Sequence, residues 1–220
     1  KGEDLMQGRV ALARGEPLTP AALGLLASLG LQSVTVFRRL RVAYFSTGDE
    51  ILSLGEAPRE GAVYDSNRYT VFGLLTRLGV EVIDMGVVRD EPAELEAAFR
   101  TAALTADAII TSGGVSGGDA DHTKAMMKRL GDVAFWRIAM RPGRPMAVGR
   151  IDEAGKSAVL FGLPGNPVAV MVTFLAFVRP ALQRLMGASP SEPVLLQARC
   201  GEALRKKPGR TEYQRGVVTR

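Results

Sequence analysis

The sequence predicts an α/β protein: a three-layer domain in which a mostly parallel sheet carries helices on both faces. Two patterns predict it: short apolar runs alternate with helical segments, and acidic or glycine-rich turns follow the runs. The 220 residues are 46% hydrophobic, enough for one substantial domain with smaller pieces beside it. We expect a small segment at 1–40, the central domain at 41–187, and the start of a truncated β domain at 191–220.

The N-terminal segment is predicted to be a small separate unit without chemistry. One helix begins at Pro20, with Thr19 as its N-cap. Short strands are expected at 10–13 and 33–36. In the C-terminal segment, strands are expected at 194–198 and 213–218.

In the central domain, strands and helices are predicted to alternate along the chain. Strands are expected at 42–45, 80–85, 107–111, 134–140, 145–149 and 158–161, and helices at 67–78, 91–104, 122–130 and 168–185. The helix at 67–78 should be capped by Ser66 or Asn67. In such sheets ligands bind beyond the carboxyl ends of the strands, which is where the polar residues below are found.

A glycine-rich loop at 111–121 joins the third strand to the next helix. Its glycines allow the backbone to approach a ligand closely, and the helix that follows offers unpaired N–H groups to an anion. The loop is therefore interpreted as a phosphate cradle, and a simple tight turn is the alternative. Its glycine spacing differs from both the Rossmann and the Walker fingerprints.

Three carboxylates, Glu50, Asp90 and Asp121, follow neighbouring strand ends. Brought together, they would form a hard oxygen site suited to Mg²⁺. The alternative for each is a helix cap or a turn carboxylate.

Positive charge is offered by Lys124, Arg137, Arg141 and Arg144. Of these, Arg137 and Arg141 lie four residues apart on a predicted strand and would share one face. Paired guanidiniums on one face suit an anion between them, and a solvated basic edge is the alternative. The stretch 163–167 should end a strand and open a helix, with Asn166 as N-cap and Pro167 in the first turn. This second helix start either faces an anion or is only a rigid turn.

Several classes of function are excluded by composition. The net charge of +5, the absence of a long basic run and 6% aromatic residues argue against nucleic-acid binding. One cysteine, Cys200, and one histidine, His122, exclude an internal disulfide and a His/Cys zinc site. We expect no apolar stretch of membrane-spanning length, and a cytoplasmic protein.

Five motifs occur in a fixed order along the chain, at 46–50, 64–67, 113–121, 141–145 and 162–167. In this order they resemble the motifs of the molybdopterin molybdenumtransferases, the family that includes the E domain of gephyrin. The resemblance covers nearly the whole chain. Residues 1–40 resemble the segment that enters the family's central domain, and 209–216 resemble the start of its C-terminal β domain.

The resemblance implies that adenylylated molybdopterin and molybdate are substrates, that molybdenum is inserted with release of AMP, and that Mg²⁺ assists. It implies catalytic roles for Glu50, Asp90, Asp121, Arg137 and Arg141, the three carboxylates holding the metal. The substrate-binding residues that it implies are Thr47, Gly48, Asp49, Ser112, Gly113, Gly114, Ser116, Gly117, Pro164, Gly165, Asn166, Pro167 and Arg215. The family often has lysine where this chain has Arg137 and Arg141.

As to partners, the resemblance implies a homodimer with small-molecule substrates and without nucleic acid or membrane. It leaves open a contact with a molybdopterin adenylyltransferase.

This chain alone is expected to be nearly inactive. Two alternatives remain at this point: a molybdopterin adenylyltransferase, which shares the central fold, and a scaffold that binds molybdopterin without catalysis.

Overall fold

A six-stranded sheet lies at the centre of the computed structural model, which describes residues 5–115, 122–189, 194–206 and 208–219. The strands are β1 (Arg41–Thr47), β2 (Ile51–Leu52), β3 (Val63–Tyr64), β4 (Glu81–Val88), β5 (Ala108–Ser112), β6 (Gly131–Arg137), β7 (Met140–Arg141), β8 (Pro145–Glu153), β9 (Lys156–Leu163) and β10 (Thr211–Glu212). The helices are α1 (Pro20–Ser28), α2 (Ser66–Leu78), α3 (Pro92–Thr105), α4 (His122–Leu130), α5 (Pro167–Thr173) and α6 (Arg179–Leu185), with a π-helical segment at Phe174–Val178.

The central sheet has the strand order β4-β1-β5-β9-β8-β6. The pairs β4–β1, β1–β5 and β5–β9 are parallel, whereas β8 is antiparallel to both of its neighbours. The reversal arises at a two-residue hairpin turn, where Ala154 and Gly155 both have positive φ, at 46° and 77°. The mostly parallel sheet is confirmed, with β8 as its one reversed strand.

Helices cover both faces of the sheet, as predicted. On one face, Ala43 and Phe45 of β1 pack in a cluster with Leu95 and Phe99 of α3. The ring of Phe45 meets that of Phe99 edge to face at a centroid distance of 5.1 Å. On the other face lies a second cluster, formed by Val42, Tyr44, Val71, Leu75, Val170 and Phe174 among others. Side chains that alternate along β1 thus enter opposite cores.

The helical stretch Pro167–Leu185 corrects the expectation that no apolar stretch has membrane-spanning length. Among the described residues it is the one helix long and apolar enough to span a membrane, with 19 residues and a mean hydropathy of 1.5. Val170, Phe174 and Val178 are buried in the second cluster against the sheet, so its inner side is that of a core helix. Its outer side also carries apolar residues, including the exposed Met171, which raises the mean hydropathy.

The termini differ from the prediction. The segments 10–13, 33–36, 194–198 and 213–218 form no strand. Much of these terminal segments is exposed: Val36 is 61% and Leu195 is 88% accessible. Their apolar side chains do not pack against a sheet. The helix at Pro20 is confirmed, and Thr19 accepts a hydrogen bond from the Ala22 N–H at 3.2 Å.

Two boundaries in the central domain were also wrong. The strand expected at 134–140 begins at Gly131, directly after α4, and ends at Arg137. Helix α2 is capped by Asp65, whose carboxylate accepts from the Arg68 N–H at 3.0 Å, rather than by Ser66 or Asn67. The domain limits proposed from the sequence stay predictions.

Candidate functional site

The carboxyl ends of four parallel strands lie side by side at one edge of the sheet. Thr47 of β1 pairs with Val88 of β4, and Ser112 of β5 pairs with both Ser46 of β1 and Leu163 of β9. The segments that follow these strands therefore emerge next to one another. We call this line of strand ends the ligand edge.

Two glycines of the loop after β5 are required by packing within the protein. Gly113 and Gly114 have φ of 94° and 63°. A Cβ on Gly113 would lie 2.2 Å from the carbonyl oxygen of Thr47, and one on Gly114 would lie 2.5 Å from Cβ of Thr123. The backbone N–H of Gly113 donates to the Leu163 carbonyl at 3.1 Å. These glycines hold the loop against β1, β9 and α4, a role that the sequence did not reveal.

The rest of this loop, including Ser116, Gly117 and Asp121, lies outside the described residues. Their proposed contacts with phosphate and metal stay predictions.

The carboxylate of Asp90 is tied to two neighbouring elements. Its Oδ1 accepts a hydrogen bond from the Thr123 hydroxyl, in the first turn of α4, at 3.0 Å. Thr123 is fully buried, and its hydroxyl also lies 3.4 Å from that of Thr47 at the end of β1. The structure therefore links two predicted site residues, Thr47 and Asp90, through a threonine that sequence reasoning had not selected.

The turn after β1 places Gly48, Asp49 and Glu50 at the same edge. Asp49 and Glu50 are exposed, and the Asp49 carbonyl accepts a hydrogen bond from the Arg59 guanidinium. The Glu50 carboxylate folds back over Gly48, where a Cβ would lie 2.7 Å from its Oε2. Glu50 thus remains open to solvent and to a ligand.

Carboxylate oxygens are present at this edge, but the described residues do not assemble them into a metal-binding cluster. Within the described ranges, no group of three or more His, Cys, Asp or Glu side chains is placed to hold an ion. Glu50 and Asp90 provide hard carboxylate oxygens of the kind that Mg²⁺ prefers. The third predicted ligand, Asp121, is outside those ranges.

A triangle of buried hydroxyls lies beneath the glycine loop. The Tyr44 hydroxyl is 2.8 Å from that of Ser46 and 2.7 Å from that of Ser112, and the two serine oxygens are 3.1 Å apart. Burial raises the pKa of the Tyr44 phenol far above its ordinary value of 10, so the phenol stays neutral. Ser112 was expected to donate to a substrate, but its hydroxyl is buried in this triangle and only its backbone adjoins the loop.

The turn at Pro164–Pro167 is joined to the start of α2. The Asn67 side-chain amide donates to the Gly165 carbonyl at 2.8 Å. Asn166 caps α5 as predicted, because its Oδ1 accepts from the Val168 and Ala169 N–H groups at 3.0 and 3.2 Å. Gly165 also adjoins the glycine loop: a Cβ there would lie 4.0 Å from the Gly113 Cα. Asn67 was missed as a site residue, although it belongs to the second motif of the sequence.

An arginine pocket of about 390 Å³ lies near the end of β6. The arginines that line it are Arg137, Arg141, Arg144 and Arg210. Arg137 ends β6 while Arg141 belongs to β7, so the expectation that they share one face of one strand was wrong. The pocket nevertheless brings them together with Arg144, which the sequence also offered as a source of positive charge, and it adds Arg210.

The pocket draws on two distant parts of the chain. Strand β10 pairs in parallel with β7, which brings Gly209 and Arg210 against the loop at 138–144. Arg210 donates to the Glu212 carboxylate at 2.8 Å, and this hydrogen bond lowers the pKa of Glu212. Arg215 lies farther along, in an exposed stretch, and does not line the pocket.

The arginine pocket and the ligand edge both lie where the parallel strands have their carboxyl ends. Strand β6 runs in the direction of β9, because each is antiparallel to β8 between them. The carboxyl end of β6 is thus two strands from that of β9, or about 10 Å at the usual strand spacing. Gly143 of the pocket loop packs on α5, where a Cβ would lie 2.5 Å from Thr173 Cγ2.

Residues 43–184 match the family described as "Probable molybdopterin binding domain". A molybdopterin molybdenumtransferase of Haemophilus influenzae is 46% identical over 98% of this chain, which covers 52% of that relative. The enzyme of the same name from Nostoc sp. is 38% identical over 94% of this chain and 48% of its own length. The chain spans about half the length of the curated relatives that it matches.

Solved structures show the same likeness. The molybdopterin biosynthesis moea protein from Pyrococcus horikosii superposes with a TM-score of 0.71 at 37% identity, over 84% of this chain and 45% of that one. The tungsten cofactor synthesizing protein MoaB from Pyrococcus furiosus matches 69% of this chain and 98% of its own, with a TM-score of 0.52. At 20% identity the latter shows a shared fold alone.

Proposed function

Because this chain belongs to the molybdopterin binding domain family, we propose that it is the central part of a molybdopterin molybdenumtransferase. Such an enzyme would take molybdenum from molybdate, insert it into adenylylated molybdopterin and release AMP. The single observation that carries this proposal is the arginine pocket near the carboxyl end of β6, which lies two strands, or about 10 Å, from the carboxyl end of β9 at the ligand edge. The ligand edge suits a phosphorylated substrate, and the arginine pocket suits a second, separate anion.

The ligand edge is proposed to hold the phosphates of the pterin nucleotide. Backbone N–H groups of the glycine loop are proposed to donate to these phosphates. Gly113 and Gly165 keep the loop and the Pro164–Pro167 turn in contact. Among the described residues, no serine is paired with a base in a way that would make it a nucleophile; Ser112, for example, is hydrogen bonded to other hydroxyls. The contribution of these residues is therefore positional and electrostatic.

The arginine pocket is proposed to hold molybdate. Molybdate is a dianion, and four guanidiniums around an open cavity of about 390 Å³ would attract and orient it. Arginine in place of the lysines usual in the family keeps the charge and adds a planar fork of donors. Arg137 and Arg141 are the two members already implied by the resemblance, and Arg144 and Arg210 extend the set.

Mg²⁺ is proposed to lie between Glu50, Asp90 and Asp121. When bound, such an ion would neutralise phosphate charge and polarise the phosphorus–oxygen bond that is broken. The role of the protein is to hold the metal-ligating carboxylates in place: the Thr123 hydroxyl, at the start of α4, donates a hydrogen bond to Asp90. Thr123 in turn is held by close packing against Gly114.

The proposal is tested by binding and by turnover. We expect the chain to bind AMP and, independently, tungstate as a molybdate analogue, in isothermal titrations at low ionic strength. With adenylylated molybdopterin and molybdate, AMP release should be slow in this chain and fast in a full-length relative. Failure to bind either AMP or tungstate would count against the proposal.

Two alternatives are separated by the same assays. A molybdopterin adenylyltransferase would consume ATP instead of releasing AMP; the fold shared with MoaB does not distinguish the two, whereas the pocket completed by Arg210 favours insertion of molybdenum. A scaffold would bind the pterin nucleotide without turnover even in the full-length protein. We further propose a cytoplasmic homodimer, which sedimentation of the full-length protein would test, and leave a contact with an adenylyltransferase to pull-down experiments.

A further inference from the structure

The start of α2 contains two buried oxygen atoms to which no described residue donates a hydrogen bond. Asp65 and Asn67 are only 3% and 7% exposed. Among the described residues, neither Asp65 Oδ2 nor Asn67 Oδ1 has a hydrogen-bond partner. A buried acceptor left unpaired lowers the stability of the fold, so these side chains are not arranged for the greatest stability. Such groups in native structures call for another explanation.

Asn67 makes one hydrogen bond that reaches the ligand edge. Its amide Nδ2 donates to the Gly165 carbonyl at 2.8 Å, across 98 positions of sequence. Gly165 is exposed and adjoins Gly113 of the glycine loop. Asn67 is thus a buried residue whose side chain sets the orientation of an exposed peptide group at the site.

The orientation of that peptide group decides where a donor points. In a trans peptide the C=O and the next N–H point in opposite directions. Since the Gly165 carbonyl faces the buried Asn67, the Asn166 N–H faces away from α2, and Asn166 is an exposed residue. No acceptor among the described residues takes this N–H.

We propose that Asn67 is a positioning residue that holds the Gly165–Asn166 peptide so that the Asn166 N–H can donate to the anionic substrate. The substrate is identified as the phosphate of a nucleotide only through the proposed function, on which that part of the inference rests. The orientation of the peptide itself does not depend on it. Asn67 acts through Gly165 and does not touch the ligand.

The variant Asn67→Asp tests this role because its effect depends on pH. Protonated, the introduced carboxyl can donate to the Gly165 carbonyl as the amide does; ionised, it can only repel that oxygen. Burial and the facing carbonyl favour the neutral form and raise its pKa. Affinity for AMP should therefore match wild type at low pH and become about tenfold weaker as the carboxyl ionises, since one hydrogen bond is worth about one decade.

The measurement is the ratio of the AMP dissociation constants of variant and wild type from pH 4.5 to 8.5. Taking the ratio cancels the ionisation of AMP itself. The matched control is Ser66→Asp, which adds the same charge to the exposed neighbouring residue of α2 and should give a ratio near one at every pH. A second readout needs no ligand: in Asn67→Asp, the ¹⁵N–¹H signal of Asn166 should titrate with the introduced carboxyl.

The outcomes are distinct. A ratio that rises with pH together with a titrating Asn166 signal supports the inference. A ratio near one throughout, an equal loss at all pH values, or an Asn166 signal insensitive to the variant overturns it. Wild-type protein that fails to bind AMP overturns the proposed function; in that case a titrating Asn166 signal in Asn67→Asp would still support the role of Asn67 in orienting the peptide.

Discussion

The Tyr44 hydroxyl lies 2.7 Å from the Ser112 hydroxyl, joining the ends of β1 and β5 directly beneath the glycine loop. Both side chains are almost fully buried, and the Ser46 hydroxyl completes the triangle. Each of the three oxygens can donate one proton and accept from its neighbours, so together they satisfy one another without water. This small polar cluster fixes the start of the loop that leads into the candidate site.

Replacing Tyr44 with Phe should destabilise the protein by about 1–2 kcal/mol, because one buried hydroxyl is lost and the two serine hydroxyls of the triangle each lose a hydrogen-bond partner. The folded-state pKa of Tyr44 is raised, so its phenol adds stability fully below about pH 10, and that stability is lost as the pH rises further. In urea titrations the difference between wild type and Tyr44→Phe should be constant below about pH 10 and should shrink above it. The exposed Tyr213→Phe is the control, and a pH-independent difference would contradict the assignment.

Gly113→Ala should lower the free energy of unfolding by about 2–4 kcal/mol, since it combines positive φ with a clash that the backbone of Thr47 cannot avoid. Gly73→Ala is the control: it lies in α2, where no atom of the described residues comes within 4 Å of a Cβ, and should stabilise by about 0.5–1 kcal/mol. Thermal melts of both variants would test this. Gly114 is packed against Thr123 in the same way, so a bulky residue there would disturb the fold as well as ligand binding.

Asp90→Asn and Glu50→Gln should each weaken Mg²⁺ binding about tenfold or more in the presence of AMP, with a melting temperature close to that of wild type. Each change keeps the shape of the side chain and removes a charged oxygen ligand. Thr123→Val should have a smaller effect, because it removes only the hydroxyl that holds Asp90. Calorimetric titration with Mg²⁺ measures all three, and unchanged metal affinity with a large loss of stability would assign these carboxylates to the fold.

Arg137→Ala and Arg141→Ala should each weaken tungstate or molybdate binding about ten- to a hundred-fold, the equivalent of about 1.5–3 kcal/mol for a charge-assisted hydrogen bond. Binding of AMP should change much less, and substitution by Lys should cost less than Ala. The losses should shrink as salt is raised, because both side chains are exposed in an open pocket. Arg77→Ala, in an exposed position of α2, is the control for loss of charge alone.

Asp107 should contribute to the acid sensitivity of the fold. Hydrogen bonds from the Arg38 guanidinium hold the pKa of Asp107 below its ordinary value, and the Arg41 N–H adds to this effect. Its stabilisation is therefore complete above about pH 4 and is lost as the pH falls through the lower pKa of the folded state. Asp107→Asn should reduce stability at pH 7 and flatten the dependence of stability on pH below about 4; equal acid sensitivity in variant and wild type would contradict this.

The parallel half of the sheet could be predicted because its strands are covered on both faces and hence are continuous apolar runs. Residues 108–110 of β5, for example, are all fully buried. Strand β6 was harder to place, since as an edge strand it alternates between half-buried residues such as Phe135 and exposed ones such as Trp136. Its pattern is weaker, and its start directly after α4 leaves no turn signal.

The candidate site could be predicted only where a motif is contiguous. The glycine loop and the Asn166 cap are local, so the sequence located both. The Tyr44–Ser112 contact, the Thr123–Asp90 bond and the place of Arg210 each join residues that only the fold brings together. Even so, Tyr44 and Ser46 two apart on a buried strand were a readable sign of a shared polar face.

The return of β10 to β7 gives the arginine pocket a property beyond charge. Arg210, from the C-terminal stretch, forms part of a wall that it shares with the loop at 138–144, and the like charges of the guanidiniums there repel one another. An anion that enters the pocket would therefore tighten the docking of the C-terminal stretch, and docking would tighten the anion, by the same factor. The oxyanion would thus help to assemble its own site, because anion binding in the arginine pocket and docking of the C-terminal stretch are coupled in one equilibrium.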